Sequence, residues 1–394
     1  MQGLSPCWRW GRDRLLVLFL QHYSYINQQL TLSTILSIGT AVPSCRHLQS
    51  AILPFMQRIY GLEQGAGRKL KALYQQSGIS TRYSVIPDYS EPIQHWQFYP
   101  PTENLEPFPS LECRMQWYRE HAAALSLTAI HRCLEGHCRP DQITHLITVS
   151  CTGMSAPGLD LELVEALHLP STVFRTSINF MGCYAAVHAL KLAHALAAGG
   201  EGIRVLVVCT ELCTLHFQQQ PTLDNMLSSL LFSDGSAAAL IASDDITGKG
   251  LKLRHFYSEI VAEGKGAMGW GLSSTGFQMT LTGYVTDLIQ ADFAGLVDRA
   301  LQKAGRERAG ISHWCIHPGG KKILDAIHKS LSFTNGDLLP SYTVLQEFGN
   351  MSSPTILFVL QRILENLSHS RDNCIFGAAF GPGLTMETFI VETN

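Results

Sequence analysis

Three side chains in this 394-residue sequence have the types and settings for nucleophilic acyl chemistry: Cys183, His317 and Asn350. Cys183 lies in Ser177-Ile178-Asn179-Phe180-Met181-Gly182-Cys183-Tyr184-Ala185-Ala186. There a strand ends, a glycine permits a tight turn, and a long helix begins. Free N–H groups at a helix start stabilise a thiolate and lower its pKa. A thiolate attacks thioesters well. Taken alone, the segment equally describes one more buried helix cysteine. His317 stands just past a strand in His313-Trp314-Cys315-Ile316-His317-Pro318-Gly319-Gly320. Pro318 stops the strand and the two glycines allow close backbone approach. A lone histidine is more often structural, but strand ends are where sites in α/β sheets collect. Asn350 lies in Glu347-Phe348-Gly349-Asn350-Met351-Ser352-Ser353-Pro354. Ser352 or Ser353 can cap the next helix, and Pro354 suits its first turn. By itself an asparagine after glycine reads first as a turn residue. As a set, histidine pairs with a thiolate while amide and imidazole N–H groups stabilise an oxyanion.

Such side chains need rigid elements to hold them. Strands are expected at 33–39, 143–149, 173–178, 204–209 and 236–242, with helices over 47–76, 114–136, 161–167 and 185–198 between them. Residues 85–112 hold six prolines and read as a loop region. After residue 250 the order recurs, with helices at 293–304, 321–330 and 353–366 and strands at 313–316, 375–379 and 388–391. Strands alternating with helices imply an α/β fold. The expected organisation is an extension over 1–32, one α/β half over 33–249 and a second over 250–394.

Composition narrows the function. Apolar residues make up 46% and charged residues 15%, as in a well-buried globular chain. The formal net charge of -3 gives no basic surplus, so nucleic acid is not an expected partner. Eleven cysteines at scattered spacings, without a CxxC pair, suit reduced thiols in the cytoplasm rather than a disulfide framework. Arg9, Arg12 and Arg14 before Leu15–Leu20 suggest a signal peptide faintly, but the apolar run breaks at Gln21 without a small-residue cleavage site. No membrane span is expected, because no stretch approaches the roughly 20 apolar residues of one. His131, Cys133, His137 and Cys138 lie close together, but their spacing matches no common zinc pattern and no metal is expected.

The three segments together resemble the type III polyketide synthases, the chalcone-synthase-like family with the thiolase fold. The resemblance runs from about residue 33 to 392. It includes the opening Ile35-Leu36-Ser37-Ile38-Gly39-Thr40-Ala41 and the closing Phe380-Gly381-Pro382-Gly383-Leu384-Thr385. It implies a thiolase-like α/β fold, two similar halves in a layered α-β-α-β-α core. Cys183 would carry the acyl chain, and His317 with Asn350 would promote decarboxylation of malonyl-CoA and stabilise the enolate. Phe232 and Phe277 would be gatekeepers between a CoA tunnel and the cavity. Gly381, Pro382 and Gly383 would shape that cavity. Cys151, Thr152, Cys213 and His216 would lie near it. The reaction so implied is iterative condensation of malonyl-CoA onto an acyl-CoA starter, without organic cofactor or metal. The resemblance also implies a homodimer, with Ala156 near the partner subunit's cavity.

The sequence departs from the family in places. Only Lys69 aligns plainly with a basic CoA-binding position; Ala72 and Gln76 stand where plant members are basic. Glu211-Leu212-Cys213-Thr214-Leu215-His216-Phe217 looks more like bacterial members, which points to an alkylpyrone or alkylresorcinol from a fatty acyl starter. The nearest rival is a ketoacyl synthase III-like enzyme of fatty acid synthesis, which shares the Cys-His-Asn logic. A rival of another class is an inactive or metal-binding regulatory protein.

Overall fold

The computed structural model describes residues 32–246, 248–281, 284–334, 336–367 and 372–393. The expected extension therefore lies, but for its last residue, outside the described residues. In chain order the elements are β1 (Ser33–Ala41), β2 (Cys45–Leu48), α1 (Gln49–Tyr60), α2 (Gln64–Gln76), β3 (Thr81–Ser84), α3 (Leu111–Leu134), β4 (His145–Ser150), α4 (Leu159–Leu167), β5 (Phe174–Asn179), α5 (Ala185–Ala197), β6 (Arg204–Leu212), α6 (Leu223–Leu231) and β7 (Asp234–Ser243). They continue with β8 (Leu251–Ile260), β9 (Met268–Ser273), β10 (Gly276–Leu281), α7 (Tyr284–Lys303), β11 (His313–Ile316), α8 (Lys321–Ser330), α9 (Leu339–Phe348), α10 (Thr355–Glu365), β12 (Cys374–Gly381) and β13 (Thr385–Thr393).

Nine strands hydrogen-bond in the order β11-β12-β13-β8-β1-β7-β6-β4-β5. The strands before residue 250 occupy one end and those after it the other. They meet where Ser33–Ile35 of β1 pair antiparallel with Leu251–Leu253 of β8. Two helices run through the middle of the molecule. The Ala-rich α5 touches β4, β6 and β7 and also β13, while α10 touches β11 and also β1 and β7. Residues Thr355–Leu360 of α10 are all buried, as are seven residues of α5. A helix apolar on all sides needs cover on all sides. Outer helices such as α3 close the opposite face of β1, β6 and β7. The layered α/β arrangement is thus the thiolase-like one.

Some elements differ from expectation. Residues 45–48 form β2, paired with β3 at the far end of the α1–α2 hairpin, where only helix is expected. Strands β8, β9 and β10 and helix α9 have no counterpart in the reading of the sequence. In β8 only Leu251 and Leu253 are fully buried; the remaining positions mix His, Tyr, Ser and Glu at partial exposure and hide the apolar alternation.

The sheet and α3 approach each other closely at one point. A Cβ added at Gly39 would stand 2.3 Å from the Ala129 carbonyl oxygen and 2.4 Å from the Cys133 nitrogen, both backbone atoms of α3. Gly39→Ala is therefore expected to destabilise the fold by about 3 kcal/mol, the upper range for overpacking. Gly65→Ala meets nothing within 4 Å and lies inside a helix, so it should be neutral or stabilising by up to ~1 kcal/mol. Urea unfolding midpoints of the two variants check this, and equal midpoints would refute the close approach.

Candidate active site

The nucleophile sits on a strained turn. After β5, Phe180 (φ 56°) and Gly182 (φ 78°) both adopt left-handed conformations. Gly182–Tyr184 then form one 3-10 turn that runs into α5. Only glycine fits position 182, because a Cβ there would lie 2.2 Å from the Pro382 ring. Likewise a Cβ at Gly381 would meet Tyr184 at 2.8 Å. The Gly381-Pro382 loop is therefore clamped on the turn that carries Cys183. Gly383, at φ 74°, turns the chain into β13.

Cys183, His317 and Asn350 come together through a chain of short contacts. The Cys183 Sγ faces the Ser352 hydroxyl at 3.6 Å. The Ser352 N–H donates to Asn350 Oδ1 at 2.8 Å, and Asn350 Nδ2 donates to the Gly319 carbonyl at 3.3 Å. A Cβ at Gly319 would stand 3.8 Å from the His317 ring. The backbone holds each part in place. His317 N–H extends the β11–β12 ladder by donating to the Ala378 carbonyl at 2.9 Å. Asn350 forms an isolated parallel bridge with Phe232, its N–H donating to the Leu231 carbonyl and its carbonyl accepting from Ser233 N–H, each at 2.9 Å.

All three are buried, and burial decides their protonation. The His317 ring is fully enclosed with both nitrogens unpartnered, and desolvation lowers its pKa to about 3. It is neutral at physiological pH, with one nitrogen free to donate and one to accept. Burial also pushes the Cys183 thiol up to about 11, against the hydrogen bonds from Ser352 and Asn350 that favour the thiolate; the nearby Glu211 charge raises it further. This corrects the expectation that the helix start lowers the Cys183 pKa. Cys183 lies in the 3-10 turn that precedes α5, and loss of water is the largest influence on its thiol.

Glu211 is the functional-site residue that sequence reasoning missed most plainly. It is wholly buried at the end of β6. Oε2 accepts from Cys151 N–H and from the Thr152 hydroxyl, both at 2.8 Å, while Oε1 accepts from the Ser353 hydroxyl at 2.7 Å. Burial raises its pKa to about 7 despite these donors. A carboxylate ending the apolar run Val205-Leu206-Val207-Val208-Cys209-Thr210 was a visible signal.

Beside Cys183 is a cavity of about 30 Å³, which Cys151, Thr152, Cys213, Phe232 and Pro382 all line. Ser352, Met268, Trp270 and Met279 complete its wall and were not anticipated. A second chamber of about 40 Å³ shares Cys213, Phe232, Trp270 and Met279 with it. His216 and Phe277 belong only to this second chamber, stacked in parallel with ring centres 4.2 Å apart. His216 Nε2 donates to the Thr152 carbonyl at 2.6 Å and Nδ1 accepts from Phe277 N–H at 3.1 Å. Phe277 thus faces the second chamber, and Met279, two residues further along β10, lines both spaces. A third cavity of about 160 Å³ is lined by Leu73, Leu227, Leu231 and Gly319 and edged by Lys321 and Lys322. Lys69 is exposed and lines none of these cavities, but it precedes Leu73 by one turn of α2. Cys133, in the suspected metal cluster, is buried with its sulfur 3.4 Å from the Ser37 hydroxyl. Among the described residues no three His, Cys, Asp or Glu side chains converge as metal ligands would.

Comparison with known proteins puts this geometry in context. Residues 23–245 match the family profile of the chalcone and stilbene synthases, N-terminal domain, and residues 252–393 match the C-terminal domain. An alpha-pyrone synthesis polyketide synthase-like protein, Pks18 of Mycobacterium tuberculosis, is 28% identical over 368 residues, covering 92% of this chain and 91% of the relative. Probable polyketide synthase 1 of Dictyostelium discoideum is 30% identical over 364 residues, 90% of this chain but only 11% of that much longer protein. Among solved structures, PKS-I of the brown alga Ectocarpus siliculosus superposes with a TM-score of 0.86 at 26% identity, covering 93% of this chain and 99% of that one. The C-terminal type III polyketide synthase domain of Steely1 from Dictyostelium gives 0.85 at 29% identity, over 92% and 99% of the two chains.

Two measurements test the electrostatics. Alkylation of Cys183 by iodoacetamide should accelerate about tenfold per pH unit from pH 7 to 10 without levelling, since the thiolate fraction is still rising there. A plateau below pH 8 would mean a depressed thiol. The folded protein holds the Glu211 proton more tightly than the unfolded chain, so Glu211 lowers stability as pH rises from 4.5 to about 7. The stability difference between wild type and Glu211→Gln should therefore shift by roughly 3 kcal/mol across that window, against the wild type at the alkaline end. His317 titrates in the opposite sense but is common to both proteins, so a flat difference would refute the assignment to Glu211.

Proposed function

The chain belongs to the chalcone and stilbene synthases, with the fold of type III polyketide synthases, and from that premise we propose how its own residues act. Malonyl-CoA is condensed repeatedly onto an acyl-CoA starter held as a thioester on Cys183. The observation that carries this reading is the hydrogen-bond chain from Cys183 through Ser352 and Asn350 to Gly319, whose N–H donates to the His317 carbonyl, beside a largely apolar cavity that Cys183 and Ser352 line.

The resting pair is neutral thiol and neutral imidazole, so no charge is stranded before substrate arrives. As the acyl-CoA carbonyl approaches, His317 takes the thiol proton and Cys183 Sγ attacks. The CoA sulfur leaves and recovers that proton. Malonyl-CoA follows. The His317 and Asn350 N–H groups donate to its thioester oxygen and stabilise the enolate left by loss of carbon dioxide. The enolate carbon attacks the Cys183 thioester and expels the thiolate, leaving the extended chain as a β-ketoacyl-CoA; transfer of that chain back to Cys183, with CoA as the leaving group, opens the next cycle. The water-poor wall of Met268, Met279 and Trp270 favours this order, because it protects the enolate from protonation. No organic cofactor or metal enters the scheme.

The third cavity suits the pantetheine arm, because it ends at Gly319 and Leu231, the residues that hydrogen-bond to Asn350. Its rim lysines, with Lys69 one turn away on α2, suit the CoA phosphates. A pyrone or resorcinol product is supported by the printed description of Pks18 as a protein of alpha-pyrone synthesis. A homodimer is supported by β5, the end strand of the sheet, whose Phe174 is 53% exposed beside an unpaired strand edge. A cytoplasmic setting is supported by the unpaired cysteines; among the described residues no helix is long and apolar enough to cross a membrane.

Purified protein incubated with acyl-CoA starters of different lengths and labelled malonyl-CoA should release carbon dioxide and form extended products. Cys183→Ala should abolish them. His317→Ala and Asn350→Ala should each lower the rate about 10²- to 10³-fold, the range for losing an oxyanion donor. Product formed equally well by Cys183→Ala would overturn the role of Cys183. Activity only with carrier-protein-bound malonyl groups would favour a ketoacyl synthase III-like enzyme.

A further inference from the structure

We propose that the chamber behind the Cys183 cavity is a binding site for the 1,3-dicarbonyl portion of the growing chain, held by a free N–H of Arg82. The inference rests on the polyketide reading above and adds a ligand-binding residue to it. The chamber and the Cys183 cavity share Cys213, Phe232, Trp270 and Met279, so a chain extending from Cys183 past these side chains enters it.

Arg82 lies on β3, is 4% exposed, and lines the chamber. Two of its nitrogens are committed: Nε donates to Gln49 Oε1 at 2.8 Å and Nη1 to the Phe232 carbonyl at 2.7 Å. Nη2 is buried and has no acceptor. The Tyr74 hydroxyl favours the charged guanidinium from nearby and itself donates to the Ser229 carbonyl at 3.2 Å. Asp234, the carboxylate on this side, is taken by Val85 N–H, Thr214 N–H and the Thr214 hydroxyl. The other polar groups around the chamber are also occupied. Ser84 pairs with Thr214, Tyr89 donates to the Thr214 carbonyl, and both His216 nitrogens are used. Among the described residues, Arg82 Nη2 is therefore the one buried side-chain nitrogen or oxygen on this chamber without a partner.

A buried cation without a direct counter-ion is costly, and a ligand with an anionic or strongly polar oxygen recovers that cost. An alkyl tail offers nothing to Nη2. Each condensation, by contrast, places a new ketone two carbons from the last, and a 1,3-dicarbonyl readily becomes an enolate. These oxygens arise next to the Cys183 thioester, and Arg82 grips the backbone of Phe232, whose residue lines both spaces. The geometry thus places the donor within the stretch of chain where the oxygens accumulate.

The probe is 4-hydroxy-6-methyl-2-pyrone, a cyclic 1,3-dicarbonyl that is ionised at neutral pH, compared with its 4-methyl ether, which cannot ionise. Binding to unreacted protein is measured by titration calorimetry, apart from any turnover. The wild type should bind the pyrone about tenfold or more tighter than the ether, the worth of a charge-assisted hydrogen bond. Arg82→Gln should abolish that preference while still binding the ether, whereas a collapsed chamber would weaken both ligands alike. Should Arg82→Gln not fold, Arg82→Lys decides, since one ammonium cannot hold Gln49, Phe232 and the ligand together and the preference should shrink. An unchanged preference in the folded variant, or none in the wild type, means Nη2 serves an ordered water only and overturns the proposal. A wild type that distinguishes the two ligands but forms no polyketide would instead count against the proposed function.

Discussion

The buried carboxylate of Glu211 is the tie on which the rest of the site depends. One oxygen fixes the start of the loop after β4, through Cys151 N–H and the Thr152 hydroxyl. The other fixes Ser353 at the head of α10, next to the residue facing the nucleophile. A carboxylate accepting hydrogen bonds from the loop after β4 and from the head of α10 sets the distance between them in a way apolar packing does not, because hydrogen bonds are directional. Its enclosure is expensive, and the cost shows as a carboxyl that holds its proton to about pH 7. The same burial extends outward: Cys183, His317 and Asn350 are all enclosed, and each acquires its chemical character from the absence of water.

A consequence is that reactivity is kept in reserve. A cysteine meant for general redox or scavenging chemistry gains from a low pKa and exposure. Cys183 has neither. Its proton is released only in company with His317, whose neutral ring keeps a lone pair but is too weak a base to hold a proton unaided. The pair becomes reactive when a thioester carbonyl supplies the place for charge to go, which suits a sulfur that must be reloaded in every cycle.

The candidate trio of Cys183, His317 and Asn350 was legible in the sequence because each member sits at an element end marked by glycine or proline, and such punctuation survives without knowledge of the fold. The alternation of strands and helices was legible for the same reason in β1, β4, β6, β7, α5 and α8, whose buried faces are nearly pure. Strands β8 to β10 were not, since their exposed faces interrupt the apolar rhythm. Position along a strand was harder to read than its face. Phe277 and Met279 share a side of β10 by the two-residue period, and only long-range packing sets Phe277 against His216 and Trp270 and brings Met279 to the wall of the Cys183 cavity. Glu211 and Arg82 owe their roles to partners 33 to 150 residues distant, a relation that local spacing does not carry.

The clamp of Pro382 on Gly182 has a bearing on how such a chain can be cut and rejoined. The nucleophile belongs to the stretch before residue 250, but the ring that confines its turn arrives from near the C-terminus, after β12. Neither stretch alone contains a finished nucleophile. An artificial split near residue 250 would give two fragments whose chemistry exists only at their junction, so recovered turnover would report their reassembly.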